Sequence, residues 1–197
     1  MLIFTPWRIV GMVLGLLVVG VPLLAVLFFV LAVTGGPGTC EVEGRPIAGA
    51  PEEAAAFQTK WDQLNGTLDA GQPSAVIFTE GEVTGRARQW VEDKDVPVSD
   101  LVVCFSAEDG GAAFGKVEVP FFPGDVDLLA RGTMNLRGEH PDADIDKMEA
   151  GNLPGPLTNL VENFINTLID DQANDIDLDH DYGVSFRDGE VEISGQP

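Results

Sequence analysis

The chain has 197 residues, with 32 acidic side chains against 11 basic ones and a formal net charge of −21. Such a surface repels nucleic acid, teichoic-type polyanions and anionic headgroups, which makes them poor partners. Solubility or adaptation to salt is the bland meaning of the acidity, and a calcium-collecting surface is the alternative.

Residues 1–8 form a short N-terminus whose one side-chain charge is Arg8. Ile9 to Val33 follows as an uncharged run, IVGMVLGLLVVGVPLLAVLFFVLAV. As a helix it spans roughly 37 Å, slightly more than the ~30 Å hydrocarbon core of a bilayer. The apolar part of a cleaved signal is shorter, about 7 to 15 residues. Tilt, or a kink at Pro22, absorbs the excess length. The run reads as a permanent single-pass anchor in the cell membrane. Arg8 precedes it while Glu41 and Glu43 follow, so the positive-inside bias puts the N-terminus in the cytoplasm and everything after Gly35 outside. Cys40 just beyond the run raises the alternative of a lipoprotein signal, but Pro37 stands where the lipobox needs an apolar residue. Gly11 and Gly15 form a G-x-x-x-G that lets two helices approach closely, a route to a homodimer, although glycine is common in membrane helices anyway.

Thr34 to Pro51 reads as a Gly/Pro-rich linker without regular structure, and residues 52–197 as one extracytoplasmic α+β domain long enough for a core. The two cysteines, Cys40 and Cys104, both fall on the outer side, with no C-x-x-C and no metal-like cluster. A bond between them would close a loop of about 65 residues, worth roughly 4 kcal/mol in the chain-entropy model. Two unpaired thiols are the alternative. Asn65-Gly66-Thr67 matches a glycosylation sequon, a triplet frequent by chance.

A first helix is expected from near Glu52, with Ala54, Phe57, Trp61, Leu64 and Leu68 on one stripe. A short strand, Ala75 to Phe78, comes after Gly71-Gln72-Pro73. Thr79-Glu80-Gly81-Glu82 then reads as a capping box opening a helix to about Glu92, with Val83, Ala87, Trp90 and Val91 apolar. Residues 98–150 switch to period two. Leu101, Val103, Phe105 and Ala107 share a face, with Cys104 on the other. Asp109-Gly110-Gly111 is a hairpin signal. Val117, Val119 and Phe121 point inward in the next strand. Leu128, Ala130, Gly132, Met134 and Leu136 alternate with polar residues in a third. A fourth, around Ala143 to Met148, turns Asp142, Asp144 and Asp146 to water. The expectation is an antiparallel meander with one buried face, a curved sheet packed on or around amphipathic helices.

Pro154 and Pro156 lead into a helix with a wide apolar stripe, Leu157, Leu160, Val161, Phe164, Ile165, Leu168 and Ile169. A strand is then expected in which Ile176, Leu178, Tyr182, Val184 and Phe186 face inward and Asp177, Asp179, Asp181 and Arg187 outward. Asp188-Gly189 turns the chain, and Val191 and Ile193 return on the buried face.

Catalytic signatures are missing: no G-x-S-x-G, H-E-x-x-H, Walker loop or G-x-G-x-x-G occurs. His140 and His180 have no nucleophile at a recognisable motif. The chain reads as a non-enzyme without cofactor or metal. From Asp177 the spacing D-x-D-x-D resembles a calcium loop, but its sixth position is Tyr182 and its twelfth is Asp188. A strand with a solvated acidic face is the preferred reading.

The single N-terminal anchor, Thr79-Glu80-Gly81-Glu82-Val83, the meander, Gly151-Asn152-Leu153-Pro154-Gly155-Pro156 and Asp188-Gly189 together resemble the bacterial YpmS and LmeA-type membrane-anchored envelope proteins. The likeness covers most of the ectodomain. It implies a curved sheet wrapping a helix, with lipid binding or envelope maintenance, and carries over no catalytic residues. The expected function is a binding module for a lipid or another hydrophobic ligand. Its apolar groove would lie between Leu157, Leu160, Phe164 and Leu168 on the helix and Ala130, Gly132 and Met134 on the strand. Large residues opposite small ones also fit plain core packing. The alternative function is a non-enzymatic scaffold or regulatory partner of an envelope complex.

Overall fold

The computed structural model describes residues 37–41, 45–118, 124–151, 163, 167 and 177–197. The expected anchor, Gly11 and Gly15, Val119, Phe121, Ile176 and most of the helix from Leu157 to Ile169 lie outside them. Of that last stretch Asn163 and Thr167 are helical, and the Thr167 hydroxyl donates to the Asn163 carbonyl at 2.9 Å. Among the described residues no helix is long and apolar enough to cross a membrane.

The architecture is α+β with two antiparallel sheets. The elements run α1 (Pro51–Asp69), β1 (Ser74–Thr79), α2 (Glu80–Asp93), β2 (Val98–Ser106), β3 (Gly110–Glu118), β4 (Asp125–Asn135), β5 (Asp142–Ala150), β6 (Tyr182–Arg187) and β7 (Glu190–Gly195). Strands β2-β3-β4-β5 form the expected meander, while β1-β7-β6 form a separate three-stranded sheet. The expectation of one curved sheet is therefore corrected to two. They meet where Leu136, just past β4, bridges to Tyr182 at the start of β6.

Helix α1 begins where local chemistry favours it. Pro51 supplies a preset φ in the first turn, Glu52 and Glu53 suit the positive end of the helix dipole, and Glu53 reaches back to accept from the Ala50 N–H at 2.7 Å. The expected stripe is used: Ala54, Leu64 and Leu68 are buried, and Phe57 and Trp61 are half-buried against the core. Their partners are the inward residues of the three-stranded sheet. Phe57 lies 4.5 Å from Phe78 and Trp61 5.1 Å from Tyr182, centroid to centroid. Phe105 of β2 and Leu136 join the same cluster, so one core ties the two sheets together.

Helix α2 forms where the capping box predicts it. Both arms of the Thr79–Glu82 capping box are made. Yet Val83, Ala87, Trp90 and Val91 are only half-buried, and the buried positions are Glu80, Gly81, Glu82, Thr84 and Gly85. Glycine is required at 85 because a Cβ there would meet the Ala50 carbonyl at 2.8 Å and the Ala54 nitrogen at 2.9 Å. The helix thus turns its small and polar side inward, against α1 and β2.

The aspartate-rich segment is corrected as well. Strand β6 starts only at Tyr182, and residues 177–181 form no strand. They are fastened to the loop after β4: Leu178 N–H donates to the Glu139 carbonyl at 2.9 Å, and Asp181 accepts from Gly138 N–H at 2.8 Å. Alternating aspartates here mark a bonded loop rather than a solvated strand face.

A candidate interaction site at the disulfide-fastened strap

Residues 37–41 and 45–50 contain no helix or strand, as a Gly/Pro-rich stretch should, but they are not a free linker. Cys40 is disulfide-bonded to Cys104 of β2. Ile47 packs with Val102 and Cys104, with Cys40 and Ala112 against them. Burial of Ile47, Val102 and Cys104 gives β2 a covered second face, where the sequence suggested a single buried one.

Charge fixes the other end of this strap. Arg45 Nη2 donates to Glu80 Oε1 at 2.9 Å, and its Nε lies 2.9 Å from Oε2 as a charge contact without hydrogen-bond alignment. Glu80 is 3% exposed, and the same Oε1 accepts from Phe105 N–H at 2.8 Å. Glu80 N–H donates to the Gly189 carbonyl, Gly189 N–H donates to the Phe105 carbonyl, and Asp188 accepts from Ala107 N–H. The Asp188-Gly189 turn is thereby pinned to β2 as well as closing the β6–β7 hairpin.

The remaining free edge of β2 is met by side chains of α2. Glu80 takes Phe105 N–H. Thr84 Oγ1 accepts from Val103 N–H at 2.9 Å, and Arg88 Nε donates to the Leu101 carbonyl at 2.6 Å. Positions four apart on a helix advance about 6 Å, and positions two apart on a strand about 6.7 Å. The near match lets residues 80, 84 and 88 serve strand residues 105, 103 and 101 in turn. Arg88 also donates to the Ala48 carbonyl at 2.8 Å, which ties the strap into the same ladder. Sequence reading missed this set; the i, i+4, i+8 spacing of Glu80, Thr84 and Arg88 was its one visible signal.

The face bearing the disulfide continues across the meander. Cys104, Ala112, Arg131 and Lys147 are successive partners on β2, β3, β4 and β5. Lys147 contacts Glu149 at 2.6 Å, and that hydrogen bond and charge, aided by Arg131, hold the Glu149 carboxyl below its ordinary range. Further along, Lys116 contacts Asp100 at 2.6 Å, lowering the Asp100 carboxyl and raising the Lys116 ammonium.

The expected groove residues are placed as follows. Leu157, Leu160, Phe164 and Leu168 lie outside the described residues. Ala130 and Gly132 are half-buried, and Met134 is 48% exposed. Gly132 is small for a reason unrelated to a groove: a Cβ there would lie 2.0 Å from the Asp144 carbonyl oxygen, at the irregularity where β4–β5 pairing shifts between Arg131 and Gly132. An open cleft of about 330 Å³ lies elsewhere, between the end of α2 and the start of β2. Its walls mix Val91, Val96 and Leu101 with Glu92, Asp95 and Asp100, so it is not an apolar channel.

His180 Nε2 sits 3.0 Å from Asp69 Oδ1, and His140 Nδ1 sits 3.6 Å from Asp177. Both histidines brace the 177–181 loop. Among the described residues, no group of three or more His, Cys, Asp or Glu side chains is arranged to hold a metal ion. Asn65 of the sequon lies within α1, and its Oδ1 accepts from the Tyr182 hydroxyl at 2.7 Å, so its amide is part of the core's polar fittings.

No protein-family model, curated protein or solved structure matches this chain.

Proposed function

We propose that the chain is a membrane-anchored extracytoplasmic binding module that takes a lipid or another hydrophobic ligand in maintenance of the cell envelope. The observation that carries the reading is the disulfide-fastened strap. Cys40 lies about seven residues past the apolar run and is bonded to the sheet, so the domain's reach from the end of that run is at most ~25 Å. A disulfide also suits an oxidising compartment, in keeping with the outward topology drawn from Arg8, Glu41 and Glu43. The pattern likeness to the YpmS and LmeA-type envelope proteins points the same way, and the reading assigns no enzymatic step. Met134, exposed on the strand whose alternate residues were expected to line a groove, supports an apolar contact there.

A second reading is a non-enzymatic scaffold or regulatory partner of an envelope complex. It is supported by Gly132, whose lack of a side chain serves the close approach of β5. Two measurements test the first reading. Protease added to intact cells or protoplasts should digest the domain, and full protection of a C-terminal tag would overturn the topology. Lipid should be recovered by mass spectrometry with folded protein. If none is recovered across headgroups and salt concentrations, the scaffold reading stands instead.

A further inference from the structure

We propose that Arg131 and Lys147 form a phosphate-contacting pair on the face of the domain held toward the bilayer, and that its ligand is the phosphate of an anionic lipid headgroup. The proposal rests on the membrane-anchored reading and names a surface and a ligand chemistry within it.

Position is the first argument. Cys104, Ala112, Arg131 and Lys147 form one cross-strand row, and residues in such a row share a face of the sheet. At about 4.8 Å between strands, Arg131 lies roughly 10 Å from Cys104 along the row and Lys147 roughly 14 Å. Cys40 is bonded to Cys104, and its sulfur is 3.9 Å from the Ala112 carbonyl. The tether root therefore occupies the same face, one strand away from Arg131. With about seven residues between the apolar run and Cys40, this is the side of the sheet nearest the headgroups.

Charge is the second. Two cations directly opposite each other on neighbouring strands destabilise a sheet, and this chain has few cations to place. One carboxylate, Glu149, stands between the two charges and is held by Lys147. Arg131 is half-buried, and its guanidinium makes no hydrogen bond or salt bridge among the described residues. Lys116, on the same face, is occupied by Asp100 and adds no free charge. Among Arg131, Lys147 and Glu149 the balance is thus one positive charge in excess, and the planar fork of Arg131 touches Glu149 by charge alone, with no hydrogen bond among the described residues. A guanidinium takes two phosphate oxygens side by side, and an ammonium next to it takes a third as a point charge. The acidity of the whole domain does not forbid the contact, because exposed charges beyond about 8–10 Å are largely screened at ordinary ionic strength. It confines the contact to the one face that the strap holds close.

The test uses the full chain in nanodiscs of phosphatidylcholine alone or with phosphatidylglycerol. Acylation of Lys147 by an amine-reactive ester is read by mass spectrometry as a ratio to Lys60, which Glu82 holds on α1 at 2.7 Å. Lys147 should label roughly fivefold more slowly, or slower still, in the anionic discs. The difference should vanish in ~1 M salt, where the screening length is ~3 Å. Arg131→Gln, shown folded by circular dichroism, should restore the phosphatidylcholine ratio. Equal labelling in both discs by inserted protein overturns the headgroup contact and leaves the anchor standing. Equal protection on adding inorganic phosphate to phosphatidylcholine discs overturns the lipid as its source. Failure of the chain to insert into any disc refutes the anchor itself, a result distinct from both.

Discussion

Replacing Thr84 with valine separates the ladder between α2 and β2 from simple packing. Valine has nearly the same shape, so no cavity forms, but Val103 N–H loses its acceptor at a site where Thr84 is 0% exposed. An unsatisfied buried N–H costs about 1–3 kcal/mol. Serine provides the opposite case. It keeps the hydroxyl and removes one methyl, a loss of about 1 kcal/mol. Urea unfolding followed by tryptophan fluorescence should therefore rank the proteins wild type, Thr84→Ser, Thr84→Val, with unchanged denaturant slopes if the folded and unfolded states are otherwise alike. Val103 N–H should also exchange with solvent faster in the valine variant than in the serine one. If valine proves as stable as threonine while serine is weaker, packing alone holds the helix there and the ladder argument fails.

Tyr182 is the single tyrosine of the chain and is 1% exposed, with burial first and then Asp179 and Asp69 raising its phenol above the ordinary value. The folded state favours the protonated phenol, so that contribution to stability is complete below the unfolded pKa near 10 and is lost as pH rises through the folded one. Absorbance near 295 nm should show phenolate appearing only together with unfolding; titration at an ordinary pKa in folded protein would contradict this. Reducing the Cys40–Cys104 bond, or replacing both cysteines with serine, should cost about 4 kcal/mol by loop entropy for a separation of 64 residues. Amide exchange at Ile47 should rise with it, and an unchanged denaturation midpoint would show that the strap holds without the bond. Gly132→Ala should destabilise the domain by about 2 kcal/mol or more, since its Cβ would sit 2.0 Å from a backbone oxygen; a neutral effect measured by urea unfolding would mean that β5 gives way there.

Legibility in the sequence followed the range of the interaction. The α1 stripe, the Thr79–Glu82 box, the meander and the Asp188-Gly189 turn are set by residues a few positions apart, and all are present as expected. Period-two alternation reports which side chains share a face, not which strand lies alongside. Ser74 pairs with Gly195, from the far end of the chain, and nothing local in SAVIFT specifies that partner. Helix α2 forms where its capping box predicts, but its apolar residues do not show which side lies inward, because Glu80, Thr84 and Arg88 are drawn toward β2 by that strand's unpaired backbone groups. The aspartates before Tyr182 alternate as a strand would, but Asp181 is held by Gly138 N–H, a contact across 43 positions. In the candidate site the pairing of the cysteines was legible from their even number. The row joining Cys104 to Arg131 and Lys147 was not, because it depends on three separate registers.

The strap also changes where the folded unit begins. Composition places a linker at 34–51 and a domain from 52, yet a cut at 52 would remove Cys40, Arg45, Ile47 and Ala48 together. Cys104 would become a thiol beneath an exposed apolar patch, since Ile47 covers Val102. Glu80 would keep its bond from Phe105 N–H but lose its only described cation, leaving a carboxylate 3% exposed in folded protein with little to balance it. Burying an uncompensated charge costs several kcal/mol, so α2 would have to draw away from β2 or the Glu80 side chain would have to swing out toward water. Either response loosens the ladder that Thr84 and Arg88 complete. Residues that look like a spacer in composition are therefore structural members of the domain, and the same bond that completes the fold also sets its distance from the apolar run.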